Sequence, residues 1–315
     1  MQIINLQNTR LFPKKNGASA YRLSGIAARC DWAVMTARNQ KTISLRGNIS
    51  CQPRTVFLSL RSVFHAIPYF YEEILPKIHG KFVLITGSED ITIPNQTDKR
   101  WRAFNSAEKS LITKILNDDR VIHWFVENKD ENRAKMSTLP VGYVCTKGYL
   151  STVITQTPET LIRDRSLKML CAHRIRGGAQ WEVRRKVTKL CSNQLPKTST
   201  ILTDEVSEMD FRHLVRKHPF TLCVQGGGLD PSPKAWLCII NGSIPIIKSS
   251  TLDDAYSSLP VAFVDEWNKD CLSKDKLLQW IYELSPYYED PELRSQTLER
   301  LSLDYWWNKI IEKVI

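Results

Sequence analysis

Two stretches of the sequence carry residues whose types and spacing could do chemistry. In the first, 82-FVLITGSEDITIP-94, Asp90 follows an apolar run that predicts a buried β-strand. Open α/β sheets bind ligands at the carboxyl ends of their strands, so Asp90 is the lead candidate for a general base. Its alternative role is to cap the loop before Pro94. Glu127 and Asp130, which end and follow the run 121-VIHWFVE-127, are the reserve acid–base candidates.

The second stretch is 218-HPFTLCVQGGGLDPSPKAWLCIINGSIPIIKSS-250, in which an apolar run precedes Gly226, Gly227 and Gly228. A glycine-rich turn between a parallel strand and a helix lets backbone N–H groups and the helix N-terminus approach a phosphate. Lys234 adds a positive charge there, and Trp236 is placed to pack beside a base or sugar. The stretch predicts an anion site, although a simple tight turn is the alternative.

Apolar runs and helical periodicities alternate on both sides of these stretches. The N-terminal half shows βαβ-like units over 55–94 and 107–130, and the C-terminal half repeats the theme from 168 to 284, ending in a helix over 292–314. This alternation predicts an α/β fold with mostly parallel sheets. Residues 151–164 lose apolar density, so we place the domain boundary between 155 and 156.

The composition and charge of the chain limit the kinds of molecule that it could bind. The chain has 315 residues, 42% of them hydrophobic, and a formal net charge of +11. Clustered Lys and Arg could indicate a nucleic-acid partner, but no recognition-helix, RNP or zinc-finger pattern accompanies them. A diphosphate also explains the charge, and we favour Arg184 or Arg185 acting with Lys234, while other basic residues of the same helix form a solvated face. We therefore expect no nucleic-acid partner.

The sequence also gives expectations about the cysteines, membrane spans and the location of the protein. Eight cysteines are spread without a CxxC pair or His pairing at zinc spacing, so we expect them to be reduced and mostly buried. No apolar run approaches the roughly 18 residues of a transmembrane helix. The first residues lack the apolar core of a secretory signal, which favours a cytoplasmic location.

The glycine stretch with 242-GSIPII-247 and 260-PVAFVDEW-267 resembles the donor-binding half of exostosin-like glycosyltransferases. In the N-terminal half, 82-FVLITGSEDITIP-94 and 121-VIHWFVENKD-130 are similar to blocks of members encoded by large DNA viruses of algae. The matched blocks span roughly 55–145 and 211–310. The resemblance is to a family of sugar transferases.

That resemblance implies a GT-B architecture: two Rossmann-like domains face each other across a cleft, and a C-terminal helix packs back towards the N-terminal domain. A nucleotide sugar would bind in the C-terminal domain (156–315) and a glycan or glycoprotein acceptor in the N-terminal domain (1–155). Transfer would invert the anomeric centre without a metal, and the absence of an Asp-x-Asp pair is consistent with that. The resemblance implies no tightly bound cofactor. A UDP-sugar is the expected donor, with UDP-xylose the first choice by similarity, and a viral origin would place the protein in the host cytoplasm.

The sequence departs from the family pattern where a helix glutamate usually binds the ribose, because Leu237 stands at that position. Asp230 or Asp265 could replace the glutamate. Alternatively, Lys234, Ser249, Ser250 and backbone amides hold the donor, or the protein has lost activity. Two other classes stay open: a non-catalytic nucleic-acid-binding protein, and another nucleotide-binding Rossmann enzyme, although the G-x-G-x-x-G fingerprint of the latter is missing near the N-terminus.

Overall fold

The computed structural model describes residues 2–11, 23–36, 43–144, 152–155 and 160–314. The chain divides into two compact units. The N-terminal unit comprises Asn5–Ser151 and Leu303–Ile315, and the C-terminal unit comprises Met1–Ile4 and Thr152–Ser302. Each unit is therefore assembled from two separate stretches of chain, which a single boundary between 155 and 156 does not describe.

The first half of the chain alternates strands and helices as its apolar runs predict. In chain order it forms β1 (Gln2–Asn5), α1 (Gly25–Arg29), β2 (Trp32–Thr36), β3 (Ile43–Gly47), β4 (Thr55–Ser59), α2 (Val63–Tyr69), β5 (Phe82–Gly87), α3 (Ser106–Asn117), β6 (Val121–Val126), β7 (Met136–Thr138) and β8 (Thr152–Thr155). A π-helical turn and a 3₁₀ turn extend α2 as far as Lys77.

Within the described residues, the N-terminal unit contains a six-stranded sheet in the order β3-β2-β4-β5-β6-β7. All neighbouring strands are parallel except the edge pair β2 and β3. Strands β4 and β5 are buried along their whole length, which is typical of parallel strands covered on both faces. Helix α3 begins with a capping box formed by Asn105 and Glu108.

The second half forms a smaller sheet with its helices. In chain order it continues with β9 (Met169–Cys171), α4 (Glu182–Gln194), β10 (Ser199–Ile201), α5 (Glu208–Lys217), β11 (Phe220–Leu222), α6 (Lys234–Ile240), β12 (Ile244–Lys248), α7 (Asp253–Tyr256), β13 (Ala262–Val264), α8 (Lys274–Leu284), α9 (Pro286–Glu289), α10 (Pro291–Glu299) and α11 (Leu303–Ile311).

The sheet of the C-terminal unit has the order β10-β9-β11-β12-β13 over the part of the chain that the structure describes. All of its strand pairs are parallel. The chain starts at β9, crosses to one side for β10 and then to the other side for β11. Such a reversal leaves a crevice at the carboxyl ends of the two central strands, where open α/β sheets bind their ligands. In this unit the crevice lies between β9 and β11.

The predicted α/β fold with a Rossmann-like unit in each half is confirmed, and α11 belongs to the N-terminal unit as the fold prediction required. Two details differ. The single helix predicted over 292–314 is two helices, α10 and α11, separated at residues 300–302. Residues before 50, which precede the first predicted unit at 55–94, contribute β2 and β3 to the N-terminal sheet.

Candidate functional site

Lys234 lies at the crevice of the C-terminal sheet. It is the first residue of α6, and its Nζ donates hydrogen bonds to Ala172 O (3.0 Å) and Leu222 O (3.3 Å). Ala172 directly follows β9 and Leu222 ends β11, so the ammonium joins the two strands that flank the crevice. Among the described residues, its hydrogen-bond partners are neutral carbonyl oxygens. Burial, and then the nearby Arg184, lower the pKa of Lys234.

Arg184 brings a second positive charge to the same place. It is buried on α4, and its guanidinium donates to Val224 O (3.1 Å from Nη2), Gln225 O (3.2 Å from Nε) and Arg174 O (3.0 Å from Nη1). The guanidinium carbon lies 4.7 Å from the centre of the Trp181 ring. Arg184 therefore holds the chain that leads from β11 to the glycine run, and its predicted contact with a diphosphate stays a prediction.

The glycine run serves close packing here and does not require the left-handed backbone region. None of Gly226, Gly227 and Gly228 is among the residues with positive φ, whereas Ser232 in the same loop has a φ of 84°. A Cβ atom at Gly226 would lie 3.1 Å from Nη2 of Arg184. Glycine at 226 therefore leaves room for the guanidinium beside the loop.

Asp230 shapes the loop between the glycines and α6. Its Oδ1 accepts from the backbone N–H of Ser232 (2.8 Å), and its Oδ2 accepts from the hydroxyl of Tyr256 (3.0 Å). The side chain is buried, with Asp230 only 7% exposed. Both oxygens of this carboxylate therefore have partners within the protein. A role for Asp230 in binding ribose remains a prediction.

Ser249 and Ser250 follow β12, the neighbour of β11, and lie half-buried at the same edge of the sheet. The backbone N–H of Ser249 donates to Val264 O (2.9 Å), and that of Ser250 donates to Oδ1 of Asp253 (2.9 Å). Both serines therefore sit at the edge where the sequence predicted them to meet a ligand.

Two predicted donor residues have other surroundings. Trp236 is 1% exposed and packs edge to face on Tyr256, with ring centres 5.9 Å apart, while its Nε1 donates to Leu301 O (3.3 Å). The expectation that it packs beside a base or sugar is therefore wrong, because the indole faces the core side of α6. Arg185 donates to Arg176 O (3.1 Å) and Gly178 O (3.0 Å) and so braces the exposed loop after β9.

His173 lies at this site and was not among the predicted residues. It follows Ala172, and its Nε2 lies 3.0 Å from both Arg184 O and Oγ1 of Thr188. Burial, reinforced by the charges of Lys234 and Arg184, lowers the pKa of His173 to about 3. The ring is therefore neutral near pH 7. The sequence does place His173 just after an apolar run, which could have marked it as a site residue. It does not show that this strand lies next to β11, because strand order within a sheet cannot be read from the sequence.

In the N-terminal unit, Asp90 lies beyond the carboxyl end of β5, as predicted. Its carboxylate forms ion pairs with Arg10 and Arg100, neither of which the sequence singled out. Arg100 also lies 3.5 Å from Glu89, and Arg10 lies 2.6 Å from Glu127. Burial alone would lower the pKa of Arg10, but Glu127, Asp90 and Glu89 together raise it. The carboxyl edge of this sheet is thus a network of arginines and carboxylates.

The reserve candidates are both held by backbone N–H groups. Glu127 accepts from Oγ1 of Thr9 (2.6 Å) and from the backbone N–H of Ser88 (2.7 Å), and its side chain is 2% exposed. Asp130 accepts from the backbone N–H groups of Asn95 and Thr97, each at 3.0 Å. Glu127 therefore stabilises the chain where β5 ends, and Asp130 stabilises the loop that contains Asn95 and Thr97.

Asp90 reaches solvent better than Glu127, with 22% of its side chain exposed against 2%. Access to a substrate hydroxyl is the first requirement for a general base. Asp90 therefore remains our lead candidate for the base.

Neither a membrane-spanning helix nor a metal cluster is found in the described ranges. No helix there is long and apolar enough to cross a bilayer. No group of three or more His, Cys, Asp and Glu side chains there could hold a metal ion. The described cysteines are free thiols, including Cys223 and Cys238 with sulfur atoms 4.0 Å apart.

Acidification is expected to destabilise the protein. Burial lowers the pKa of His123 to about 4 and that of His173 to about 3, whereas an unfolded chain binds these protons near pH 6.5. The unfolded state therefore binds more protons throughout the window from about 6.5 down to about 3, so the free energy of unfolding falls as the pH falls.

Urea unfolding at about pH 7 and about pH 5 measures this effect, in a range where most carboxylates are still ionised. His123→Gln keeps a hydrogen-bonding side chain near Oγ of Ser137, the partner of His123 Nε2 at 2.9 Å. This variant should lose less stability than the wild type over the same pH interval. Equal losses in the two proteins would contradict the assignment to His123.

No model of a known protein family matches the sequence, and no match was found among curated proteins. Among solved structures, the chain is similar to a trehalose-6-phosphate synthase studied for glycosyl transfer with retention, at 7% identity and a TM-score of 0.49, covering 82% of this chain and 73% of that one. A second structure, trehalose-6-phosphate from E. coli bound with UDP-2-fluoro glucose, gives 8% identity, coverages of 82% and 72%, and a TM-score of 0.45. TarM gives 10% identity, coverages of 82% and 54%, and a TM-score of 0.45. Because all three TM-scores are below 0.5, we draw no conclusion about activity from them.

Proposed function

We propose that this protein is a glycosyltransferase that binds a nucleotide sugar in its C-terminal unit. The observation that carries the proposal is Lys234, whose ammonium lies at the sheet crevice with carbonyl oxygens as its hydrogen-bond partners among the described residues. Lys234 is half-buried, and a positive charge withdrawn from water without a carboxylate partner is costly, so a diphosphate would compensate it. Arg184 adds a second cation, with its guanidinium on the carbonyl oxygens of Val224, after β11, and Arg174, after β9.

The proposed reaction is a displacement at the anomeric carbon of the donor sugar. The bond from that carbon to the diphosphate oxygen breaks, and a bond to the acceptor oxygen forms. Asp90 takes the proton of the acceptor hydroxyl, while Lys234 and Arg184 stabilise the charge that develops on the departing diphosphate. Inversion, independence from metal and a GT-B arrangement of the two units rest on the resemblance to exostosin-like enzymes. The anomeric configuration of the product, observed by NMR, tests the first of these.

The donor we propose is a UDP-sugar, with UDP-xylose as the first to test, and the acceptor is a hydroxyl group of a glycan or glycoprotein. This choice also rests on the resemblance, as does a viral origin, which would place the protein in the host cytoplasm. Gly226, Gly227, Gly228, Ser249 and Ser250 line the edge of the sheet beside the two cations and would contact the donor. Leu237 cannot bind ribose hydroxyls as a glutamate does, so that contact would fall to another group.

UDP should stabilise the protein against heat. At a ligand concentration about 100 times the Kd, binding to the folded state alone adds about 2.7 kcal/mol to the free energy of unfolding. Melting curves with UDP, GDP, NAD and a short DNA duplex measure this and test the rival classes together. A shift with DNA or NAD and none with UDP, GDP or their sugars at millimolar concentration would overturn the proposal.

A further inference from the structure

The hydrogen bonds around His173 determine which ring nitrogen carries the proton. Oγ1 of Thr188 donates to Arg184 O at 3.0 Å. Its single hydrogen is therefore used, and the hydroxyl oxygen can only accept from the imidazole. Arg184 O also only accepts. Both neighbours of Nε2 are thus acceptors, so Nε2 carries the hydrogen and Nδ1 carries the lone pair.

Nδ1 of His173 is a buried acceptor without a hydrogen-bond partner in the described part of the chain. Buried polar atoms normally find partners, so such an atom needs an explanation. The surrounding charges come from Lys234 and Arg184, both hydrogen-bond donors. A site rich in donors suits phosphate oxygens but offers little to the hydroxyl groups that a nucleotide sugar also carries. The lone pair of Nδ1 supplies the missing kind of group.

We propose that Nδ1 of His173 accepts a hydrogen bond from a hydroxyl group of the nucleotide sugar and helps to select the donor. This inference rests on the proposed function, since it needs the diphosphate at Lys234. His173 is only partly buried as a residue and begins the exposed loop 174–179. A rearrangement of that loop on binding would bring the hydroxyl to Nδ1. The hydroxyl belongs either to the transferred sugar or to the ribose.

Two substitutions separate this contact from the structural role of the ring. His173→Gln keeps an N–H donor near the position of Nε2, for Arg184 O and Thr188, but removes the acceptor at Nδ1. His173→Asn places an oxygen near the position of Nδ1 but cannot reach the partners of Nε2. His218→Gln is the matched control, because both ring nitrogens of His218 have partners in the same unit, Leu214 O at 2.7 Å and Oγ1 of Thr200 at 2.9 Å.

Calorimetric titration of UDP, UDP-xylose and UDP-glucose into these proteins tests the proposal. We expect His173→Gln to bind the UDP-sugars about 10-fold more weakly than the wild type, as for the loss of one hydrogen bond to a buried acceptor. His173→Asn should stay within about 3-fold of the wild type despite a lower melting temperature, and His218→Gln should be unchanged. If His173→Gln weakens binding of the UDP-sugars but not of UDP, the hydroxyl belongs to the transferred sugar. If it weakens binding of UDP equally, the hydroxyl belongs to the ribose.

Unchanged affinities in folded His173→Gln would overturn the proposal. Nitrogen NMR of histidine-labelled wild type gives a second reading that does not depend on a variant folding. The Nδ1 resonance of His173 should move on addition of the UDP-sugar while that of His218 stays, and a stationary Nδ1 resonance at saturation would also overturn it. Failure of the proposed function is distinguishable, because the wild type would then bind none of the three ligands.

Discussion

Asp90→Asn is expected to lower turnover by about 10²–10⁴-fold, the usual contribution of a general base, while UDP affinity stays near that of the wild type. The amide keeps the shape of the carboxylate but cannot take the proton of an acceptor hydroxyl. The same change removes a negative charge between Arg10 and Arg100. A loss of stability of roughly 1–3 kcal/mol should therefore accompany it. Turnover, UDP affinity and urea unfolding must be measured on the same preparation.

Arg100→Gln is the control for that experiment, because it breaks one of the same ion pairs and keeps the carboxylate. Arg10 still pairs with Asp90 in this variant. If Asp90 is the base, Arg100→Gln should retain turnover within about 10-fold, well above Asp90→Asn. If the ion pairs are purely structural, the two variants should lose stability and turnover alike. In that case Glu127 or Asp130 becomes the candidate, although both carboxylates are engaged by backbone N–H groups.

Lys234→Met is expected to weaken UDP binding by about 10–100-fold, the range for loss of a charge-assisted contact. Methionine keeps most of the apolar stem and removes the ammonium. In the ligand-free protein, the variant relieves the burial of a charge but leaves Ala172 O and Leu222 O without their donor. Because these effects oppose each other, the melting temperature without ligand should change little, whereas the stabilisation by UDP should shrink.

Lys217→Met is the matched control, since Lys217 is an exposed lysine at the end of α5 in the same unit. It lowers the net charge equally and should leave UDP affinity within about 2-fold, because solvent screens an exposed charge. Equal losses in the two variants would mean that UDP responds to overall charge and that Lys234 does not contact it. Normal UDP affinity in folded Lys234→Met would remove Lys234 from the site.

The sequence predicted elements well where a local pattern decides them. The apolar run that precedes Asp90 became β5, and the helix predicted to carry Arg184 and Arg185 became α4. A buried parallel strand and an amphipathic helix both have characteristic spacings of apolar residues. The break between α10 and α11 was missed. Residues 300–302 contain neither glycine nor proline, and the break is set by tertiary contacts such as the one between Leu301 O and Trp236.

The sequence predicted several residues of the candidate site but not which residues lie next to one another there. Asp90 and Lys234 were found because they follow apolar runs, whereas Arg10 was missed because it lies 80 residues from Asp90 in sequence. His173 was missed because its importance depends on β9 lying next to β11, a pairing that no local pattern encodes. Trp236 was misassigned, since the face of α6 to which a side chain points depends on packing.

The interleaving of the two chain ends dictates how this protein can be dissected. A fragment that stops at Ser151 lacks α11, where Trp306 and Ile310 are buried and Asp304 pairs with Arg29 at 2.5 Å. The same cut separates β1 from its partner strand β8. An independently folding N-terminal unit must therefore be made by joining Asn5–Ser151 through a linker to Leu303–Ile315. Exchanging C-terminal units between related proteins would need crossover points near residues 151 and 302 together, because one crossover in mid-chain would separate α11 from the rest of its unit.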